Sequence, residues 1–287
     1  MAEECRYLIK RVREGQSVAM QSHNGPCPLL ALCNCLFLSQ RADPPAGIQW
    51  ANTQQLASIV AEVLLARGQQ SPSDANLQQT LSDAIALLPS LEKGLDVNVG
   101  FSGPSQFEFT PQIALFDLCG VRLFHCWAID PQDPRTPTIQ KLKYNDAVVR
   151  AKDDTVIQTW LEETGGVQCT SYGLICVAEQ LRESELAVLF RSSHFSVIHK
   201  HQGRVFNLVT DVGYSDSEVV WESVDGIDGD SSFFTAKFAP FVSEEEKKQK
   251  KALKNDHQLA IQLQRAEEDR ASIKKHHHSQ EDDCTLF

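Results

Sequence analysis

Gln21-Ser22-His23-Asn24-Gly25-Pro26-Cys27-Pro28-Leu29-Leu30-Ala31 opens an apolar run that reaches Leu38. Asn24-Gly25-Pro26 signals a turn. Pro28 suits the first helical position, where its missing N–H is not needed. The run behind it is apolar on nearly every side, so it reads as a buried helix. Cys27 is then expected at the N-cap, with the unpaired amides of the helix facing its sulfur. A helix N-terminus stabilises thiolate, the form in which cysteine is a nucleophile. Cys33 and Cys35, inside the same helix, read as buried structural thiols.

The elements around this helix fit its burial. Tyr7-Leu8-Ile9-Lys10 and Ser17-Val18-Ala19-Met20 read as strands around the Glu14-Gly15 turn. Residues 54–67 form an amphipathic pattern closed by Gly68, 77–88 another stopped by Pro89, and 107–119 a short helix at Thr110-Pro111. Residues 121–129 read as a strand. Residues 186–190, 194–199 and 204–210 read as consecutive strands, the last two joined at His201-Gln202-Gly203. The predicted class is α+β, an early helix packed on a later, mostly antiparallel sheet. Residues 1–242 form the body; from Ser243 the chain turns to Glu244-Glu245-Glu246 and then Lys- and Gln-rich sequence, a polar tail over 243–287.

Composition excludes several classes. The chain has 287 residues, a formal net charge of −11 and no basic stripe in its body, so nucleic acid is not an expected partner. Nine cysteines, an odd count, follow an N-terminus without an apolar signal segment. They are expected as reduced thiols in the cytoplasm. Cys33-x-Cys35 and His125-Cys126 lack the paired spacing of a zinc site, so neither metal nor cofactor is expected. A monomer is expected.

Acyl transfer by a cysteine needs an oxyanion donor and a base. Gln21, six residues before Cys27, can offer its side-chain N–H beside the Cys27 amide. Among the histidines, His199 and His201 flank a turn and read as solvated, His125 reads as a core residue, and His23 is too near Cys27 in sequence. His194, at the start of an expected core strand, is the predicted base. Its orienting group belongs on the next strand, where Asn207, Thr210 and Asp211 are candidates. Strand alternation from Val205 favours Thr210.

At these residues the chain resembles the MINDY family of deubiquitinases. The matching stretches are residues 21–31, Gly94-Leu95-Asp96-Val97-Asn98-Val99, Phe107-Glu108-Phe109-Thr110-Pro111, Phe190-Arg191-Ser192-Ser193-His194-Phe195-Ser196, Leu208-Val209-Thr210-Asp211 and Val220-Trp221-Glu222-Ser223. The resemblance implies a papain-like fold variant that hydrolyses isopeptide bonds in polyubiquitin, with a preference for lysine-forty-eight linkages cut from the distal end. It implies Cys27 as nucleophile, Gln21 at the oxyanion and His194 as base, and supports Thr210. It also implies Val97, Trp127 and Phe190 as apolar contacts to ubiquitin. Where the family has Asn-Asn before the histidine, this chain has Ser192-Ser193.

Residues 255–270 of the tail form a helical pattern with Leu259, Ala260 and Leu263 on one face. The family carries ubiquitin-interacting helices in its tail, which implies the same use here. The chain ends Cys284-Thr285-Leu286-Phe287, a prenylation pattern at Cys284 that by itself supports reversible membrane association at most. Two other readings compete with a deubiquitinase. One is a catalytically inactive polyubiquitin receptor; the other is a papain-like peptidase or amidase acting on something other than ubiquitin, which the tail helix argues against.

Overall fold

A hairpin begins the structure. β1 (Arg6–Arg13) and β2 (Gln16–Met20) pair antiparallel, and Gly15 at their turn takes φ +71°, a value glycine adopts without side-chain cost. β3 (Trp50–Asn52) lies along the other side of β1, giving the order β2-β1-β3. The computed structural model describes residues 6–21, 27–227 and 231–242, with Lys248 and Gln258, and divides into a unit Met1–Pro240 and a second unit Phe241–Phe287. Leu259, Ala260, Leu263 and Cys284 lie outside the described residues, as do His23 and the Asn24-Gly25-Pro26 turn.

α1 (Cys27–Leu38) is buried along its whole length after Cys27. It packs against β2, against α2 (Thr53–Gln69) and against two strands of the second sheet. Asn34, the polar residue within its apolar run, is fully buried. Its Oδ1 accepts the Ala19 N–H at 2.7 Å and its Nδ2 donates to the Ala19 carbonyl at 2.9 Å. The amide thus completes the open backbone edge of β2 and fixes helix to strand.

α2 begins with a reciprocal cap. The Asn52 side chain accepts the Gln55 N–H at 2.8 Å, and the Gln55 side chain accepts the Asn52 N–H at 2.9 Å. The sequence places the helix end at Gly68, yet α2 continues through it. Gly68 is buried, and a Cβ there would stand 3.1 Å from Leu81 of α3 (Ala75–Leu87), so this glycine serves the close approach of two helices rather than a stop. Pro89 does end α3, and a 3₁₀ turn follows over Leu88–Lys93. α4 (Pro111–Leu118) is capped by Thr110, whose Oγ1 accepts the Ile113 N–H.

The second sheet has six strands in sequence order. These are β4 (Leu123–His125), β5 (Leu186–Arg191), β6 (His194–His201), β7 (Arg204–Leu208), β8 (Val219–Ser223) and β9 (Phe233–Thr235). Only β4 and β5 run parallel. Helices and two sheets together give a mixed α/β architecture.

The strand expected over 121–129 is shorter than its apolar sequence. The chain leaves the sheet after His125, and Cys126 forms a single parallel bridge with Cys169. Trp127 and Ile129 instead enter a second apolar cluster with Phe101, Leu142, Ile157 and Trp160. Four helices absent from the sequence reading follow: α5 (Thr136–Ile139), α6 (Tyr144–Arg150) and α7 (Thr155–Thr164) supply residues to that cluster, and α8 (Ser171–Gln180) packs into a third one with Phe124 and Cys126. Gly173 of α8 lies hard against the chain leaving β4, since a Cβ there would meet the Cys126 carbonyl oxygen at 1.9 Å.

Candidate functional site

Cys27 is the first residue of α1 rather than its N-cap, and it is half-buried at the edge of the main core. Burial raises its thiol above the ordinary range, opposed by the backbone N–H groups of Phe195 and of Cys27 itself. The sequence expectation of a stabilised thiolate is not met in this state. Loss of water around the sulfur outweighs the amides. The Phe195 amide is informative for another reason. It belongs to the residue that follows His194, so the N-terminus of α1 meets β6 at its histidine.

His194 opens β6, opposite Arg191 of β5. The hairpin between them has a two-residue turn, Ser192-Ser193, with φ +50° and +60°. Positive φ at both central positions is the mark of a type I′ turn, where Asn and Gly are favoured and Ser is not. The His194 side chain is exposed to solvent on one side, while protein around it disfavours the imidazolium and lowers its pKa. No hydrogen bond joins Cys27 and His194 in this conformation.

Gln21 directly follows β2 and is held by its backbone. Its N–H donates to the Thr210 carbonyl at 2.6 Å, and its own carbonyl accepts the Val212 N–H at 3.1 Å. Gln21 and Asp211 form a parallel bridge, so the end of the first sheet is tied to the chain leaving β7. Residues far apart in sequence thereby come together in pairs: Gln21 after β2 with Thr210 after β7, and Cys27 of α1 with Phe195, the neighbour of His194 in β6.

The three candidates for orienting His194 occupy different places. Asn207 pairs with Ile198, which puts it on the face of the sheet shared by Ser196 and His194. Asn207 and His194 line a cavity of about 300 Å³ with Arg191, Ser196, Glu222 and Asp225. The Asn207 Nδ2 donates to Glu222 at 2.6 Å, and its Oδ1 is buried without a partner. Thr210 engages Gln21 through its carbonyl. The Asp211 carboxylate accepts the Gly213 N–H at 2.7 Å and caps a short 3₁₀ turn over Val212–Tyr214.

Among the described residues the other histidines are His125, His199 and His201. His125 is buried, accepts the Trp127 N–H at its Nδ1, and is pushed down to about 4 by burial. His199 and His201 are not solvated as expected; both rings stack on Phe238, at 5.3 and 4.2 Å. Among the described residues every cysteine is free, and no cluster of three or more His, Cys, Asp or Glu could hold a metal ion. No helix among them is long and apolar enough to cross a membrane.

Val97 and Phe190 border the same two apolar clusters. Each is partly buried, and each packs against both the main core and the second apolar cluster. Trp127 lies in that second cluster at 2% exposure, with its ring 5.6 Å from Trp160 and nearly parallel to it. It supports the surface beside Val97 and Phe190 rather than forming it. The sequence reading missed Val167 and Gln168, which hold the turn before His194. Their only signal is a positive φ at Gln168, which no residue pattern reveals.

The sequence also matches a known family. Residues 6–154 and 149–238 match the model of the MINDY deubiquitinase family. Ubiquitin carboxyl-terminal hydrolase MINDY-1 of Homo sapiens is 39% identical over 241 residues, covering 78% of this chain and 51% of that protein. MINDY-1 of Danio rerio is 37% identical over 252 residues, covering 81% of this chain and 48% of that protein. MINDY-2 of Mus musculus is 34% identical over 252 residues, covering 81% of this chain and 42% of that protein. The chain spans about half the length or less of these relatives. With the matched residues running from the first strand through the last, the chain belongs to the MINDY deubiquitinase family.

Proposed function

We propose that the protein is a cysteine-type deubiquitinase that hydrolyses isopeptide bonds in polyubiquitin, with a preference for lysine-forty-eight-linked chains cut from the distal end. The observation that carries the reading is the meeting of the α1 N-terminus with β6. The Phe195 amide acts on the Cys27 sulfur, next to His194. A helix bearing the nucleophile and a sheet bearing the base is the papain-like arrangement, here with a separate N-terminal three-stranded sheet supplying Gln21.

His194, neutral at pH 7, takes the Cys27 proton as the sulfur attacks the isopeptide carbonyl. The Gln21 side-chain N–H and the Cys27 amide stabilise the oxyanion. His194 then protonates the departing lysine amine, and a water that it deprotonates hydrolyses the thioester. Thr210 holds Gln21 in place through its carbonyl. The surface at Val97 and Phe190, backed by Trp127, receives the ubiquitin whose C-terminus is cut. The tail residues Leu259, Ala260 and Leu263 add a second ubiquitin contact in a cytoplasmic monomer.

The absence of a Cys27–His194 hydrogen bond and the raised thiol pKa favour a second reading, an inactive polyubiquitin receptor. A ubiquitin probe with a C-terminal electrophile separates the two. An enzyme forms an adduct at Cys27, lost in Cys27→Ala; a receptor binds the probe and forms none.

A further inference from the structure

We propose that Gln168 is a positioning residue for His194. The inference rests on the deubiquitinase reading for its kinetic consequence, and on the hydrogen bonds alone for its structural one. The turn that carries His194 consists of two serines in the left-handed region, where neither serine is at ease. Such a turn persists only when its surroundings hold it. Two bonds do so. The Ser192 hydroxyl donates to the Val167 carbonyl at 2.9 Å, and the Ser193 N–H donates to Gln168 Oε1 at 3.3 Å.

Gln168 is itself fixed. Its backbone has φ +46°, and its N–H donates to the Thr164 carbonyl at 2.8 Å. Thr164 also receives the Trp127 indole N–H on its hydroxyl at 2.8 Å, and that hydroxyl donates to the Trp160 carbonyl at 2.7 Å. A continuous set of bonds therefore runs from the aromatic cluster behind Val97 and Phe190, through Thr164 and Gln168, to the residue preceding His194. The bracket reaches the turn from outside the sheet, and its far end rests under the surface proposed to receive ubiquitin.

The left-handed backbone at Gln168 supplies a clean test. Gln168→Gly removes the acceptor while relieving the backbone, so the fold gains or keeps stability. Gln168→Glu keeps an acceptor of the same reach. The expected result is a fall in kcat of about 10–100-fold in Gln168→Gly with KM changed by less than about threefold, since His194 is displaced and binding is not. Gln168→Glu is expected to restore most of the rate. The His194 imidazole NMR resonances, followed through a pH titration, are expected to shift in Gln168→Gly and return in Gln168→Glu. A wild-type kcat and unmoved His194 resonances in Gln168→Gly would overturn the proposal. Should the wild-type protein cleave no ubiquitin chain, the deubiquitinase reading falls, and the His194 resonances alone decide the bracket.

Discussion

The Gln21 N–H donates to the carbonyl oxygen of Thr210 at 2.6 Å, across 189 residues of chain, and this bond ties the chain leaving β2 to the chain leaving β7. With the Val212 N–H donating to the Gln21 carbonyl at 3.1 Å, it makes the position of Gln21 a property of the backbone.

Replacing Gln21 by Ala keeps both backbone bonds and removes the side-chain donor. The expected loss is about 10²–10³ in kcat, the usual effect of deleting one oxyanion donor. The thermal midpoint is expected to stay at the wild-type value. Steady-state kinetics on ubiquitin chains beside a thermal melt checks both. An equal loss of rate and stability would reassign Gln21 to structure.

Burial raises the Cys27 thiol and lowers the His194 imidazole, so the free protein at pH 7 holds a thiol beside a neutral imidazole. Iodoacetamide alkylation of Cys27 is therefore expected to climb with pH through the alkaline range, above where an ordinary thiol titrates. Bound ubiquitin is expected to move the climb to lower pH by aligning His194. A free-protein alkylation rate already at its plateau at pH 7 would contradict this account.

Asn34 pairs with both backbone groups of Ala19 inside the core. Asn34→Ala leaves a buried N–H and a buried carbonyl unpartnered, at a cost of about 3 kcal/mol. Urea unfolding measures it as a lower midpoint at unchanged slope. A change under about 0.5 kcal/mol would mean that water replaces the amide.

His125 titrates at about 4 in the folded protein, against 6.5 when free. A lowered folded pKa for histidine means that the unfolded chain binds the extra proton between those values. Stability is therefore whole above pH 6.5 and falls as pH drops toward 4, by about 3 kcal/mol from this residue. Unfolding midpoints at pH 7, 5.5 and 4.5 test it. Replacement of His125 by Gln is expected to flatten the decline, and an unchanged slope would move its origin elsewhere.

Much of this arrangement is legible in the sequence because local chemistry writes it. Pro28 and the apolar run to Leu38 set the start and burial of α1. The alternation over 186–190, 194–199 and 204–210 sets three adjacent strands. What escaped was set by distant partners. β3 has three residues and exists because β1 offers it an edge, and residues 126–129 are as apolar as a strand but are claimed by Trp160 and Phe101 instead. Asn34 reads as an interruption until Ala19 is seen opposite it. Gly68 reads as a stop until Leu81 is seen against it. In the site, residue types named Cys27, His194 and Gln21; the raised Cys27 thiol and the Gln168 bracket depend on packing that no local pattern encodes.

The central claim is tested most directly by incubating the protein with purified ubiquitin tetramers of several linkages, wild type beside Cys27→Ala, and reading the products on a gel. The account predicts that the wild type shortens lysine-forty-eight-linked tetramers and releases monomer, while Cys27→Ala binds them and leaves them intact. Binding without cleavage of any linkage by the wild type, or cleavage that survives in Cys27→Ala, would contradict it.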